Sequence, residues 1–412
     1  MSAVIDSVKI KDTNIPLIFE KSENLPIFNL QLVFKNSGYM ADGNQSGLTN
    51  LTSKILNEGT KKDGAVGFAK KLENRAISID VSNGYETFVI EVSCLTSEYK
   101  YALKLLNELL KNPNLTEDTL EKIKTMQISK LKQKESDFDD VARKNLNQIL
   151  WKNTTLANSN NGNIKSIENI TLENVKKQLA KTLNLDNLIV VVGGQIELNE
   201  FKDEITPIVT LFKRQGVIHT PKLTVSKNQK ETKIKKNTEQ AYIYFGSDFN
   251  IDYNNTDLYK AKVASFILGG SGFGSRLMEE IRVKNGLAYS AYGHMSINKS
   301  HSYFTGYLQT KLENEQKAKE LVIKTIEDFI KNGATLEELE SAKKFLSGSE
   351  PLRTETFSQR LGLAFNLFYK GLPQDYPKKE LQMIENLTLE ELNSFIKSHN
   401  EVLGLSFSIV TK

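Results

Sequence analysis

The chain has 412 residues, 39% hydrophobic and 25% charged, and its 54 basic and 50 acidic residues leave a net charge of +4. That near balance argues against a nucleic-acid or membrane-surface role. The length predicts at least two domains, each able to bury a core.

In chain order, residues 47–57 carry Leu48, Leu51, Ile55 and Leu56 at helical spacing. A second helix is expected over 66–74. Ile77, Ile79 and Val81 alternate with polar residues as in a strand, Asn83-Gly84 supplies a tight hairpin turn, and 87–94 returns as the partner strand. The one cysteine, Cys94, alternates with Phe88, Ile90 and Val92 and reads as core; alone, it cannot form an intramolecular disulfide. A helix follows with Ala102, Leu103, Leu106, Leu109 and Leu110 on one face, then long helices to about 151, a helix over 171–182 with Thr171 as N-cap, and a buried strand over 188–192. The segment 214–237 is lysine-rich, carries Pro221 and shows little apolar periodicity, so it reads as a linker. Beyond it the pattern gives helices near 256–268 and 275–284, strands near 287–296 and 302–310, a helix over 314–331, more than one helix over 335–370, a helix over 388–398, and a last strand over 404–410.

The two halves repeat each other. Residues 167–175 (Ile-Glu-Asn-Ile-Thr-Leu-Glu-Asn-Val) return at 384–392 as Ile-Glu-Asn-Leu-Thr-Leu-Glu-Glu-Leu, an offset of 217. Residues 116–124 match 335–343 at an offset of 219, which Phe138 and Phe357 share. The expected architecture is therefore α+β: two homologous domains, 1–213 and 238–412, each a mainly antiparallel sheet covered by helices.

Two motifs carry chemistry. In the C-terminal copy a glycine cluster, Gly269, Gly270, Gly272 and Gly274, leads into Ser275-Arg-Leu, Ile281-Arg282 and Gly286-Leu-Ala-Tyr289. The cluster follows a helix-like stretch rather than a strand and lacks a Gly-Lys-Ser/Thr end, which argues against a phosphate cradle. In the N-terminal copy, Gly47, Asn50, Ser53, Lys54, Gly59 and Thr60 form another frame.

Both motifs resemble the M16 (pitrilysin/insulinase-type) zinc peptidases. The C-terminal motif is similar to the signature of that family's second domain. This implies that Arg282 and Tyr289 contact substrate beside a zinc, and that Gly269, Gly270, Gly272 and Gly274 form a substrate-binding loop. The N-terminal motif resembles the frame of the family's His-x-x-Glu-His helix, with Asn50 and Lys54 at the histidine positions and Ser53 at the glutamate. None of the three fits a zinc site: Asn is a poor ligand, Ser53 is no general base unaided, and the Lys54 ammonium repels a cation. The family's third ligand falls near Asp140, with Glu135 and Asp139 close by. The resemblance implies a chain that binds no metal and no cofactor, with zinc expected in a partner subunit that keeps His-x-x-Glu-His. In the family's bacterial two-chain branch, and in the mitochondrial processing peptidase, one subunit departs in this way. The resemblance also leaves open an inactive scaffold, like the core proteins of the respiratory bc1 complex.

Other residues read more plainly. His294 and His301 are expected near the ends of paired strands, Glu279 and Glu280 on a solvated helix face, and Trp151 and Tyr369 in core packing. No apolar run reaches the ~20 residues that span a bilayer, and 1–20 lack a secretion-signal design. The chain is expected to be cytoplasmic as written, or periplasmic if a signal has been removed.

Overall fold

The computed structural model describes residues 3–23 and 25–412. It contains two mixed sheets, each with helices, in keeping with the α+β expectation. The first sheet is built from β1 (Val4–Ile10), β2 (Thr13–Lys21), β3 (Ile27–Lys35), β4 (Ser78–Asn83), β5 (Thr87–Leu95) and β6 (Leu188–Gly194). Their spatial order is β1-β2-β6-β3-β5-β4, with β2 and β6 parallel and the other neighbours antiparallel. The second sheet holds β7 (Glu231–Lys235), β8 (Gln240–Asp248), β9 (Ala288–Ile297), β10 (Ser302–Lys311) and β11 (Ser406–Thr411), in the order β7-β11-β8-β10-β9. Here too one pair, β7 and β11, is parallel. Strand for strand, β2-β6-β3-β5-β4 maps onto β7-β11-β8-β10-β9, so the sequence repeat is a repeat of sheet topology, and β1 is an addition.

The strands are apolar on alternate residues because one face of each sheet is the main core. In the first sheet Phe28, Leu30, Leu32 and Phe34 of β3 pack with Phe88, Ile90, Val92 and Cys94 of β5 under Leu103, Leu106 and Phe201. Burial pushes the Cys94 thiol up to about 12, so it is a packing residue and not a nucleophile. β6 is apolar on both faces: Val190 and Val192 join this core, while Ile189 and Val191 face the other way.

That second face decides how the chain divides. It is covered by Phe357, Leu361 and Ala364 of the helix Phe357–Lys370, which comes from the other half of the sequence. Reciprocally, the helix Phe138–Leu150 of the first half lies with β8 and β11, where Asn145 donates to Ser408 Oγ at 3.0 Å. One compact unit accordingly takes the chain to Lys132, Ser159–Thr220 and Arg353–Tyr369; the other takes Gln133–Asn158, Pro221–Leu352 and Lys370–Lys412. The contiguous spans 1–213 and 238–412 describe the repeat but not the packing, because each half gives the other the helix that covers its sheet.

The helices expected over 335–370 are Leu336–Ser349 and Phe357–Lys370. One further expectation changes. The 214–237 linker is docked along much of its course. Ile218 N–H donates to Asn187 Oδ1 at 3.0 Å, Leu223 N–H to Ser300 O and Ser226 N–H to Leu150 O, both at 2.7 Å. Its end is β7, an edge strand whose Lys233 and Lys235 alternate with Thr232 and Ile234; edge lysines discourage pairing with a second chain. Trp151 and Tyr369 pack as expected: Trp151 is core, edge-on to His301 at 4.9 Å, and the half-buried Tyr369 packs against the cluster that Phe357 and Leu361 form, its hydroxyl donating to Glu86 at 2.7 Å.

Candidate functional site

The N-terminal motif lies on the helix Leu48–Leu56. Gly47 opens it at φ +92, where a Cβ would also meet Ile167 Cδ1 at 2.7 Å. Asp42 accepts the N–H groups of Gly47 and Thr49, each at 2.9 Å. Leu48, Leu51 and Ile55 go to the core, which leaves Asn50, Ser53 and Lys54 on another face. Ser53 Oγ donates to Asn50 O at 2.9 Å and sits 3.3 Å from Asn83 Oδ1 on β4. Asn83 Nδ2 in turn donates to Asn160 Oδ1 at 2.8 Å.

The Lys54 ammonium donates to Gln127 Oε1, from the helix Glu117–Lys134. Gln127 is 1% exposed and donates to Asn161 O at 2.8 Å. Burial first, and then the neighbouring Lys130 charge, pull the Lys54 pKa down from its ordinary value. The residue that faces the Lys54 position from another helix is therefore Gln127, and the expectation of Asp140 is corrected. Asp140, Asp139 and Glu135 belong to the other compact unit. Asp140 is paired there with Arg143 at 2.5 Å and Lys144 at 2.7 Å, and Asp139 accepts the Tyr244 hydroxyl at 2.9 Å. Asn50, Ser53, Lys54 and Gln127 offer amide oxygens, a hydroxyl and a positive charge. They do not fit a zinc ion, which takes imidazole, thiolate or carboxylate. Among the described residues no cluster of His, Cys, Asp and Glu could hold a metal.

The C-terminal motif is built differently. The helix Leu258–Ser265 continues as a π-helical stretch, Phe266–Gly270, and Ser275 starts the short helix Arg276–Met278 that widens into another π-helical stretch, Glu279–Lys284. Such widened turns recur at functional sites. The glycines divide into two pairs. Gly269 is buried, and a Cβ there would meet the Gly293 backbone at 2.5 Å, so it serves close packing against β9 and not peptide contact. Gly270 is exposed beside Ser265. Gly272 (φ +67) and Gly274 (φ +90) have open space around them and supply backbone conformation.

β9 is an edge strand, and it carries a bulge. Leu308 pairs with Ala291 and Thr310 with Ala288, so Tyr289 and Ser290 together face the single Gln309. Strict alternation from buried Ala291 would turn Tyr289 inward. The extra residue turns it out, and Tyr289 is 82% exposed. The half-buried Arg282 guanidinium carbon lies 4.5 Å from the centre of that tyrosine ring. The pair expected from the seven-residue spacing is therefore in contact.

The arginine six residues earlier is a contrast. Arg276 clamps Glu338 with two bonds, at 2.5 and 2.7 Å, and donates to Gly333 O at 2.7 Å. Burial opposes ionisation of Glu338, but Arg276 holds its carboxyl below the usual range. Glu280 is likewise not free: Lys284 pairs with it at 2.6 Å. His294 is exposed on β9 opposite Thr305, whereas His301 is buried between Ser300 and Asn298, so the two histidines do not face each other.

Sequence reasoning missed Gln127, which lies 73 residues beyond Lys54 with no local signal. It also missed Phe273, whose ring centre is 4.6 Å from the Arg282 guanidinium carbon. The only hint of Phe273 was a large aromatic residue between two glycines.

The fold and the two motifs define a class: a tandem α+β chain on a metallopeptidase plan, whose helix Leu48–Leu56 carries Asn50, Ser53 and Lys54, residues that do not fit zinc. The chain belongs to the M16 peptidase family. The description "Insulinase (Peptidase family M16)" matches residues 18–163 and "Peptidase M16 inactive domain" matches residues 169–346. It is 43% identical over 403 residues to a Helicobacter pylori protein named non-peptidase homolog YmxG, covering 98% of this chain and 93% of that one. It is 26% identical to the Bacillus subtilis probable inactive metalloprotease YmfF, over 83% of this chain and 84% of that one. The crystal structure of a peptidase M16 inactive domain from Pseudomonas fluorescens superposes with a TM-score of 0.91 at 24% identity, covering 100% of this chain and 98% of that one. This chain is a non-peptidase M16 homologue.

Proposed function

We propose that this chain is the substrate-binding, non-catalytic subunit of a two-chain zinc metallopeptidase, and that it supplies Arg282 and Tyr289 to a partner that keeps His-x-x-Glu-His. The observation that carries the reading is the state of this pair. Tyr289 is turned to solvent by a bulge, Arg282 touches it, and the Arg282 guanidinium makes no ion pair or hydrogen bond among the described residues. A chain that has replaced its metal ligands and kept such a pair has a use for it beside another chain's metal. Arg282 would hold a peptide oxygen with charge-assisted bonds. The Tyr289 hydroxyl would donate to the oxyanion formed as the scissile carbonyl is attacked. An inactive scaffold would gain nothing from an unpaired arginine beside an exposed tyrosine.

The test uses the chain assembled with a zinc-bearing M16 protein of the same organism and an unstructured peptide. Tyr289→Phe is expected to lower kcat by about 10²–10³, and Arg282→Ala to weaken peptide binding, with assembly and the partner's zinc content unchanged. Wild-type cleavage by a complex carrying both substitutions would sink the reading, as would failure of the two chains to associate.

A further inference from the structure

An arginine exposed at a binding surface has a conflict to resolve. Left alone, the side chain is floppy and must lose rotamer freedom when a ligand arrives. Held by a carboxylate, it is ordered, but its charge is neutralised and part of its donor edge is consumed. Arg276 shows the carboxylate solution, tied to Glu338 and to the backbone. Arg282 shows a third. Its guanidinium carbon lies 4.6 Å from the centre of the Phe273 ring and 4.5 Å from that of Tyr289. Aromatic faces attract a cation through their quadrupole and contact its flat surface, so they restrain a guanidinium without occupying its N–H groups.

Phe273 is otherwise hard to explain. It is 69% exposed, and it is absent from the buried clusters of its unit. The glycines on either side, Gly272 at φ +67 and Gly274 at φ +90, give the backbone conformation that carries it at the loop tip. Ser275 ties that tip down, its Oγ donating to Gly272 O at 2.7 Å.

We propose that Phe273 is a positioning residue: together with the Tyr289 ring it orients the Arg282 guanidinium and leaves its donors free for a ligand that brings its own oxygen acceptor, namely the backbone carbonyl of an extended peptide. The inference rests on the reading of Arg282 as a peptide-binding group. It adds that the glycine loop exists to hold a ring, so the residue between the glycines matters more than the glycines' own contacts.

Two measurements keep the inference and the underlying reading apart. In the chain by itself, with labelled arginine, Arg282 is assigned by loss of its signal in Arg282→Lys. Its Cδ protons and Nε–H should be displaced by ring currents. Phe273→Leu, which keeps apolar bulk and removes the ring, should shift them toward solvent-exposed values, and Phe273→Tyr should preserve them. In the assembled peptidase, Phe273→Leu should raise KM for an unstructured peptide by about three- to tenfold with kcat little changed, the scale expected for lost preorganisation. Phe273→Tyr should restore it. If Phe273→Leu leaves the Arg282 signals in place, Phe273 does not orient the arginine and the inference falls. It falls equally if the signals move and KM does not, while Arg282→Ala does raise KM. If Arg282→Ala leaves KM untouched, the functional reading itself is overturned.

Discussion

Lys54 puts a positive charge where the M16 resemblance implies a neutral imidazole, and Gln127, from another helix, meets it with an amide oxygen. The two side chains are hydrogen-bonded to each other. A glutamate opposite Lys54 would form an ion pair, whereas Gln127 accepts one bond from Lys54 and gives another to Asn161 O. The loss is one of side-chain chemistry and leaves the frame standing: Gly47 still opens the helix and Asp42 still caps it. The wild-type chain should therefore carry no stoichiometric zinc after dialysis. Asn50→His, Ser53→Glu, Lys54→His and Gln127→Glu together should restore about one zinc per chain. Leaving Gln127 in place should weaken that zinc by about 10- to 100-fold or more, since a ligand is missing rather than a supporting group. Metal analysis decides it. Adding Asp140→Ala to the fourfold variant should change nothing, because Asp140 is paired with Arg143 and Lys144 in the other compact unit. Zinc retention by the unmodified chain would reverse this account.

At the level of elements, the glycine cluster and the bulged strand are one construction. Gly269 lets the π-helical stretch touch β9 at Gly293, and β9 presents Tyr289 beside Arg282. The four glycines should then respond differently to alanine. Gly269→Ala would force its Cβ to 2.5 Å from the Gly293 backbone, which must move, and overpacking of that kind costs about 1–3 kcal/mol or more. Gly272→Ala meets nothing and should cost only the strain of a positive φ, about 1–2 kcal/mol. Urea unfolding of the two variants measures the difference. Equal costs would mean that Gly269 packs no more tightly than the open loop.

At the scale of the whole molecule, the exchanged helices bind the two halves of the sequence together. Without the helix Phe357–Lys370, the apolar face made by Ile18, Val33, Ile189 and Val191 loses its cover, and the buried Glu20 loses Arg360, which donates to it at 2.6 Å. Burial of a phenylalanine or leucine side chain is worth about 1.5–3 kcal/mol. A protease site placed at Gly216, which is exposed at φ +82 with open space around it, should yield two fragments that elute together under native conditions and part only in denaturant. Phe357→Ala with Leu361→Ala should loosen them. Separation of the unmodified fragments on native gel filtration would refute the exchange.

What the sequence determined by itself is what local pattern encodes. Alternation in 87–94 and at 77–81 gave strands, the 217- to 219-residue offsets gave the duplicated plan, and apolar spacing gave the helix that carries Asn50, Ser53 and Lys54, because residue spacing on one helix is a property of consecutive residues. Tertiary structure decided what depends on chain segments far apart. It chose Gln127 over Asp140 as the residue facing Lys54, because two helices meet there and no spacing rule says which. It sent the helices Phe138–Leu150 and Phe357–Lys370 to opposite halves, because an apolar helix face is satisfied by either sheet and packing selects one. It also turned Tyr289 outward: a strand's period of two places a side chain correctly only until a bulge adds one residue, and that residue shows itself only against the partner strand.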